Sequence, residues 1–566
     1  MEGYPLMRAL WVDLWRRRWF RWTFTPVASI ALSWCCICLI LNYVGERRWQ
    51  QVKARLEAEG ETLDYFSLLP ASISDEQNFC AIEGLLGLRD PENEALRTEI
   101  ERQAALITPQ IKEAMPLPGL GQAATTNDQA FLQALSLWAE HLAQPGKRTR
   151  KVVPAAINGA PLPGLPGLPS AGSSPPSTPE ASQPATVAVT WKEARLLLEK
   201  HAPLLPLLTQ ATRQRRKAEY LPRPTRENLP ELLYSKPLKH LQAGQGLGEL
   251  CIFYSLVCMK AGDKAASLDA ALVSLRLAQA ANMDATLVGS LTCSNQQTSF
   301  IRVIKVYLRE RFLEETDLAL IQQDLQEMDP AAQHLLGLRA EMIWRANCID
   351  YLYAHREQRW GTLRNLPMIG SSSVASGIAP AWVAVAPKGY FSLSKASGTA
   401  FFFDRAIAPI KQGGLEKAEA RIGYVEDQLA NISDWQRPDL FLTKMGFPPL
   451  APLRRGVALG ASWRLQAILA CALERHYLRH RSYPASLEKL DAEFKAGASL
   501  LDVDGLPMHY VQSSDGRFQL WSPGLDGVDD GGKFGEEVVP GSPKSLTNTR
   551  YEGDWVWRYE PSVDKK

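Results

Sequence analysis

ALERHYLRHRSYPASLEKL, residues 472–490, followed by Leu501-Asp502-Val503-Asp504-Gly505 and then DGRFQLWSPGLDGVDDGG, residues 515–532, is the stretch whose reading decides the fold. Leu465, Ile468, Leu469, Ala472, Leu473 and Leu478 recur at helical spacing, which predicts a helix from Ala461 to His480. Arg475, His476, Arg479 and His480 fall in its last turns, where positive charge complements the helix dipole. Asp515-Gly516 supplies the turn of a hairpin over Met508 to Ser522, with Tyr510 and Phe518 as strand aromatics. Residues 456–566 therefore read as a small α+β module that ends in a Gly- and Asp-rich loop.

Moving towards the N-terminus, residues 366–455 read as an irregular aromatic segment. Ser371-Ser372-Ser373 and Gly377 suggest a loop, and Ala381 to Val385 a short strand. Phe401-Phe402-Phe403 would be costly to expose and is expected in a core or an interface. Residues 191–365 read as a helical body. Leu250, Phe253, Leu256 and Val257 share one helix face, as do Leu268, Ala271, Leu272, Leu275 and Ala278, with Ala261-Gly262-Asp263-Lys264 as the turn between them. Asp329-Pro330 is a helix start: an N-cap, then a proline at the first helical position. Paired helices about a Gly-Asp turn suggest a repeat array, although no clean period of about 34 residues recurs. Gly244-Gln245-Gly246-Leu247-Gly248 lacks a preceding strand and has Glu249 in the sixth position, which argues against a dinucleotide site.

Pro161 to Pro169 and Pro175 to Pro179 lie in a Pro/Gly/Ser-rich linker, residues 146–190, whose prolines exclude helix and interior strand. Residues 45–145 form a membrane-proximal helical region. Before it, residues 23–44 are free of charge for 22 positions, about 33 Å as a helix, which is enough to span a bilayer. Asn42-Tyr43-Val44-Gly45-Glu46 offers no small-x-small cleavage site, so the span reads as uncleaved. The basic residues 1–22, with Arg8, Arg16, Arg17, Arg18 and Arg21, fit a cytoplasmic N-terminus.

Lys plus Arg number 63 and Asp plus Glu 61, a net charge of +2, which argues against nucleic acid as a partner. The 9 cysteines form no CxxC pair in the soluble part and read as isolated buried thiols.

Two resemblances add to this. Trp49, Lys53, Leu56-Glu57-Ala58-Glu59-Gly60-Glu61, Leu63-Asp64 and Asp75-Glu76-Gln77-Asn78-Phe79, with Pro387-Lys388-Gly389-Tyr390-Phe391 further on, resemble an uncharacterised family of single-pass membrane proteins of Planctomycetes and Verrucomicrobia. That resemblance implies architecture and compartment only. Taken by itself, Asp75 suits a helix N-cap. The blocks at 472–490, Asp504-Gly505-Leu506-Pro507 and 515–532 resemble, in order, the C-terminal half of a type II secretion major pseudopilin. Phe24-Thr25-Pro26 has neither the Gly nor the Glu of a prepilin leader, and over 400 residues separate span and module. The expectation is thus a pilin-like module in a chain that is not processed as a pilin.

In major pseudopilins the loop after the hairpin can bind calcium. The resemblance places the matching groups at the Leu525 carbonyl, Asp526, Asp529 and Asp530, with Ser522 nearby. Clustered oxygens on a Gly-rich loop suit calcium, while Asp-Gly pairs also form ordinary turns. His476 and His480, four apart, share a helix face and could hold a metal, but Tyr477 stands where HExxH needs Glu, and helix capping accounts for them.

The expected protein is mainly α: an N-terminal transmembrane helix, a helical body and a pilin-like C-terminal module. The functional expectation is a non-enzymatic inner-membrane protein with its bulk in the periplasm and protein partners in the cell envelope. The alternative is a periplasmic enzyme or small-ligand binder with a site between the helical body and residues 366–455.

Overall fold

The structure is a computed structural model that describes residues 18–107, 111, 136, 138, 189–227, 238–355, 386–413, 425–433, 436–444, 447, 450–503, 505–513, 516–524, 527–533 and 553–559. The expected linker up to residue 188, the first basic residues, the Ser371 loop, the strand at 381–385, Leu525 and Asp526 lie outside the described residues.

The protein is mainly helical. Its longer helices are α1 (Arg18–Ala58), α2 (Glu94–Ala104), α3 (Trp191–His201), α4 (Leu204–Gln214), α5 (Lys239–Ala261), α6 (Lys264–Met283), α7 (Leu287–Arg309), α8 (Glu315–Gln326), α9 (Pro330–Ala354), α10 (Lys388–Phe402) and α11 (Leu450–His480). Strands β1 (His509–Gln512), β2 (Phe518–Ser522) and β3 (Trp555–Arg558) form one antiparallel sheet in the order β1-β2-β3.

Helix α1 has two halves. Val27, Ile30, Leu32, Leu39, Ile40 and Tyr43 are exposed, and this part is long and apolar enough to cross a membrane. Beyond Glu46 the same helix turns amphipathic, and Val52 and Leu56 are buried in the main core. Pro26 lies inside α1, eight residues past its start at Arg18, and removes one intrahelical hydrogen bond there.

The helix boundaries follow local chemistry. Gly262, at φ +84°, closes α5 in the left-handed conformation that glycine tolerates, and Asp263 caps α6 by accepting from the Ala266 N–H at 3.0 Å. Asp329 accepts from the Ala332 N–H at 2.9 Å, with Pro330 opening α9. The glycine run 244–248 lies inside α5. A Cβ on Gly244 would collide with the Tyr220 hydroxyl, so this glycine permits close packing and cradles no phosphate.

Asp75 caps no regular helix. The residue of that block that organises structure is Asn78, fully buried. Its Oδ1 accepts from the Cys80 and Glu219 N–H groups at 3.0 and 2.9 Å, and its Nδ2 donates to the Glu219 carbonyl at 3.0 Å. It ties the membrane-proximal segment to the chain beyond the linker.

Residues 388–402, read from sequence as irregular, form helix α10, and a π turn, Phe403–Ile407, continues it. Apolar residues at Tyr390, Phe391, Phe402 and Phe403 are buried, each worth about 1.5–3 kcal/mol, and this burial overrides the Gly and Ser residues of α10 that weaken helix propensity.

Helix α11 starts at Leu450, earlier than its apolar spacing indicates. It packs on α7, α8 and α9, and β2 and β3 cover it. One apolar cluster takes in Leu56 of α1, Phe300 and Ile304 of α7, Leu318 of α8, Ile468 and Leu473 of α11, Phe518 of β2 and Trp557 of β3. The C-terminal helix and sheet therefore share a core with the helical body. A second cluster, with Phe79, Leu198, Leu208, Leu250 and Cys251, joins α3 to α6 to the segment after α1. All 9 cysteines are free thiols, and burial pushes those of Cys80, Cys251, Cys293 and Cys471 up, so they stay protonated.

Candidate functional site

The C-terminal loop follows β2 and returns to β3. Asp529 accepts from the Trp521 Nε1–H and the Gly531 N–H, both at 2.9 Å, and lies 3.6 Å from His509 Nδ1. The His509 ring stacks on Trp521 at 5.1 Å. The Trp521 hydrogen bond, followed by that of Gly531, holds the Asp529 carboxyl below its usual range. Asp530 contributes its backbone N–H to the buried Asp554, which also accepts from the Gly532 N–H at 2.6 Å.

Asp529 and Asp530 thus sit in one loop as the sequence suggests, but the carboxylate that organises it is Asp554, on the lead-in to β3. Nothing in the sequence near the Asp/Gly run marks that residue. Its oxygens hold the N–H groups of residues 530 and 532, and the Asp529 Oδ1 holds Trp521 and Gly531, so these carboxylates serve their own loop. Among the described residues, the His and carboxylate side chains that converge within ligand distance lie elsewhere. Asp529 and Asp530 alone do not supply the six to eight oxygens calcium takes, and the rest of that expectation falls on Leu525 and Asp526.

The module exposes apolar side chains. Leu501, Leu506, Val511 and Val528 are all more than two-fifths exposed. Val511 lies on β1, which among the described residues is an edge strand paired with β2 alone. An edge strand with an apolar side chain at its rim is a surface to which a further strand or segment can add.

Among the described residues, α9 and α10 meet at one part of the boundary between the helical body and residues 366–455. Ile349, Leu352, Tyr390, Phe391, Phe441 and Leu442 pack into a single apolar cluster. An open cleft of about 520 Å³ is lined by Pro70, Ile73, Arg216, Lys217, Asn282 and Glu327 among others. Arg216 at its wall pairs with Asp324 at 2.7 Å.

Close to this cleft in sequence, Asp284 receives Arg89 and His240, the latter at 2.5 Å, and all three side chains are buried. The Tyr65 hydroxyl donates to the Asp284 carbonyl at 2.6 Å. Burial first, then the charges of Arg89 and Arg97, push His240 down to about 3, so its imidazole is neutral. With no exposed face on any of the three, this group pins the segment after α1 to the turn between α6 and α7, and it offers substrate no access.

Comparison with protein families, curated proteins and solved structures finds no match.

Proposed function

We propose that the chain is a membrane-anchored interaction or assembly protein of the cell envelope. In this reading α1 crosses the inner membrane with its N-terminus in the cytoplasm. The helical body stands in the periplasm, and the pseudopilin-like helix and sheet present a surface to protein partners. The observation that carries the reading is α1 itself. One unbroken helix, Arg18–Ala58, has an exposed apolar half and a half buried in the core of the body. A protein built so holds its body at a fixed height and orientation over the membrane, as a scaffold needs to. The exposed Leu501, Leu506, Val511 and Val528 support the same reading.

The test has two arms. A reporter active only outside the cytoplasm, fused at the C-terminus, is expected to be active; a cytoplasmic signal there defeats the topology. A photocrosslinking residue at Val511 or Val528, irradiated in native membranes, is expected to give discrete higher-mass adducts, and their absence at both positions defeats the interaction surface.

A small-ligand role is the second reading, favoured by the cleft at Arg216, Lys217 and Glu327, whose volume lies in the range of ligand sites. A ligand-dependent rise in melting temperature that Lys217→Ala abolishes would favour it over the scaffold.

A further inference from the structure

We propose that His476, His480 and Asp491 form a zinc site. The two histidines lie one turn apart at the C-terminal end of α11, and Asp491 comes from the segment that folds back against it. The candidate ligand atoms of the three side chains all lie within 4.8 Å of one another. His480 Nε2 is 2.9 Å and His476 Nδ1 3.6 Å from the same carboxylate oxygen, Asp491 Oδ2. Around tetrahedral zinc, with bonds of 2.0–2.2 Å, neighbouring ligand atoms lie about 3.3 Å apart, between these two distances.

A second observation, the burial of His476, adds to that spacing. His476 is only 8% exposed, and its Nδ1 is buried without a hydrogen-bond partner. A buried ring nitrogen aimed at a carboxylate but beyond hydrogen-bond reach leaves a polar group unsatisfied, which proteins rarely retain without cause. A cation between the two satisfies both. The ring planes of His476 and His480 lie 41° apart at 4.4 Å, so they converge without stacking flat.

Asp491 is held for the role. Its carbonyl accepts from the Phe494 and Lys495 N–H groups, both at 3.0 Å, at the start of a short helix, Ala492–Lys495. Phe494 is fully buried, and its carbonyl accepts from Gln322 Nε2 of α8 at 2.8 Å. The other charge facing the carboxylate is Arg479, 3.8 Å from the same Oδ2, and Arg479 also pairs with Glu493. That acid offers the guanidinium a place to turn when a cation enters.

Two imidazoles and one carboxylate are borderline ligands that suit zinc better than calcium or magnesium. His480 is partly exposed, so a fourth position is open to water. The bound ion would clamp the end of α11 to the segment that carries Phe494 into the core.

The test uses the full chain in detergent, stripped with a chelator. Zinc affinity is read by competition with a chromophoric chelator, and coordination by the visible bands of cobalt as a substitute. The wild type is expected to bind one zinc and to give four-coordinate cobalt bands. Asp491→Asn, which keeps the side-chain shape, and His480→Ala, on the exposed side, are expected to weaken binding at least ~10-fold. His201→Ala and His355→Ala, elsewhere in the fold, should bind as wild type. Zinc should raise the melting temperature of the wild type and not of Asp491→Asn. A wild type without zinc, or equal affinity in both site variants, overturns the proposal.

Discussion

The backbone of Gly45 lies directly against that of Gly389. A Cβ on Gly45 would collide with the Gly389 carbonyl, and one on Gly389 with the backbone of Leu41 and Asn42. The Gly389 N–H donates to Asn42 Oδ1 at 2.6 Å, so the first turn of α10 is bonded to α1 where the apolar half ends. Small residues at such a crossing let helix backbones approach closely. Gly45→Ala and Gly389→Ala should each cost about 1–3 kcal/mol by forcing the helices apart. Gly456→Ala is the contrast: it lies in α11 with no atom of the described residues within 4 Å of the added Cβ, and should gain about 0.5–1 kcal/mol. Thermal unfolding in detergent reads all three. If Gly45→Ala is as stable as Gly456→Ala, the crossing is looser than it looks.

Glu61 makes the next tie between the anchor and the body. Its buried carboxylate takes Arg339 of α9 on both oxygens, at 2.7 and 2.9 Å, and Lys411 at 2.7 Å. Burial opposes ionisation, but the hydrogen bonds from Arg339 and Lys411 override it and hold the carboxyl below its usual 4.5. A depressed carboxyl adds stability that is complete above pH 4.5 and is lost as pH falls through the lower folded value. Glu61→Gln should therefore cost about 1–3 kcal/mol at neutral pH, discounted because both cations keep some water, and little at strongly acidic pH. Melting temperature followed from neutral to acid should show the two proteins converging. Parallel curves would mean that the pair has no such weight.

His240 has the opposite character. Its folded value of about 3 lies below the ordinary 6.5, so between these limits the unfolded chain binds a proton that the folded one refuses. Stability from this group is complete above pH 6.5 and falls on acidification, by up to about 1.4 kcal/mol per pH unit. His240→Gln should lower stability at neutral pH and flatten the slope between pH 6 and 4. An unchanged slope would place the proton on the ring in the folded state. Glu61 joins the segment after α1 to α9, and His240 pairs with the Asp284 that also holds Arg89 of that segment, so acid should loosen that segment first.

Much of this architecture is legible in the chain because it rests on local rules. The turn at Gly262-Asp263 needs only a left-handed residue and a cap, and both stand in the sequence. The start at Asp329-Pro330 is equally local. What local rules miss is tertiary. Gly389 reads as part of an irregular segment because its reason to be small is α1, more than 300 residues away in sequence. The C-terminal helix reads as the stem of a separate module because its apolar spacing cannot say which partner covers it; the partner is the helical body. Asn78 and Asp554 do their work by binding distant N–H groups, and a single polar residue carries no periodicity to announce that.

Asp554 gives the last test, because it separates a loop held by its own carboxylate from one held by an added ion. It is fully buried, and burial raises its carboxyl above the usual range while the N–H groups of Asp530 and Gly532 pull it back. Its own N–H donates to the Lys533 carbonyl at 3.0 Å, so loop and β3 are joined three times within a few residues. Asp554→Ala removes the acceptor of two buried or half-buried donors and should cost about 1–3 kcal/mol. Asp554→Asn keeps one acceptor oxygen and should cost less. If the loop is held by Asp554 rather than by calcium, millimolar calcium restores neither variant and leaves the wild-type melting temperature where it was. A rise in the wild type that Asp529→Asn removes would instead assign the loop to an ion.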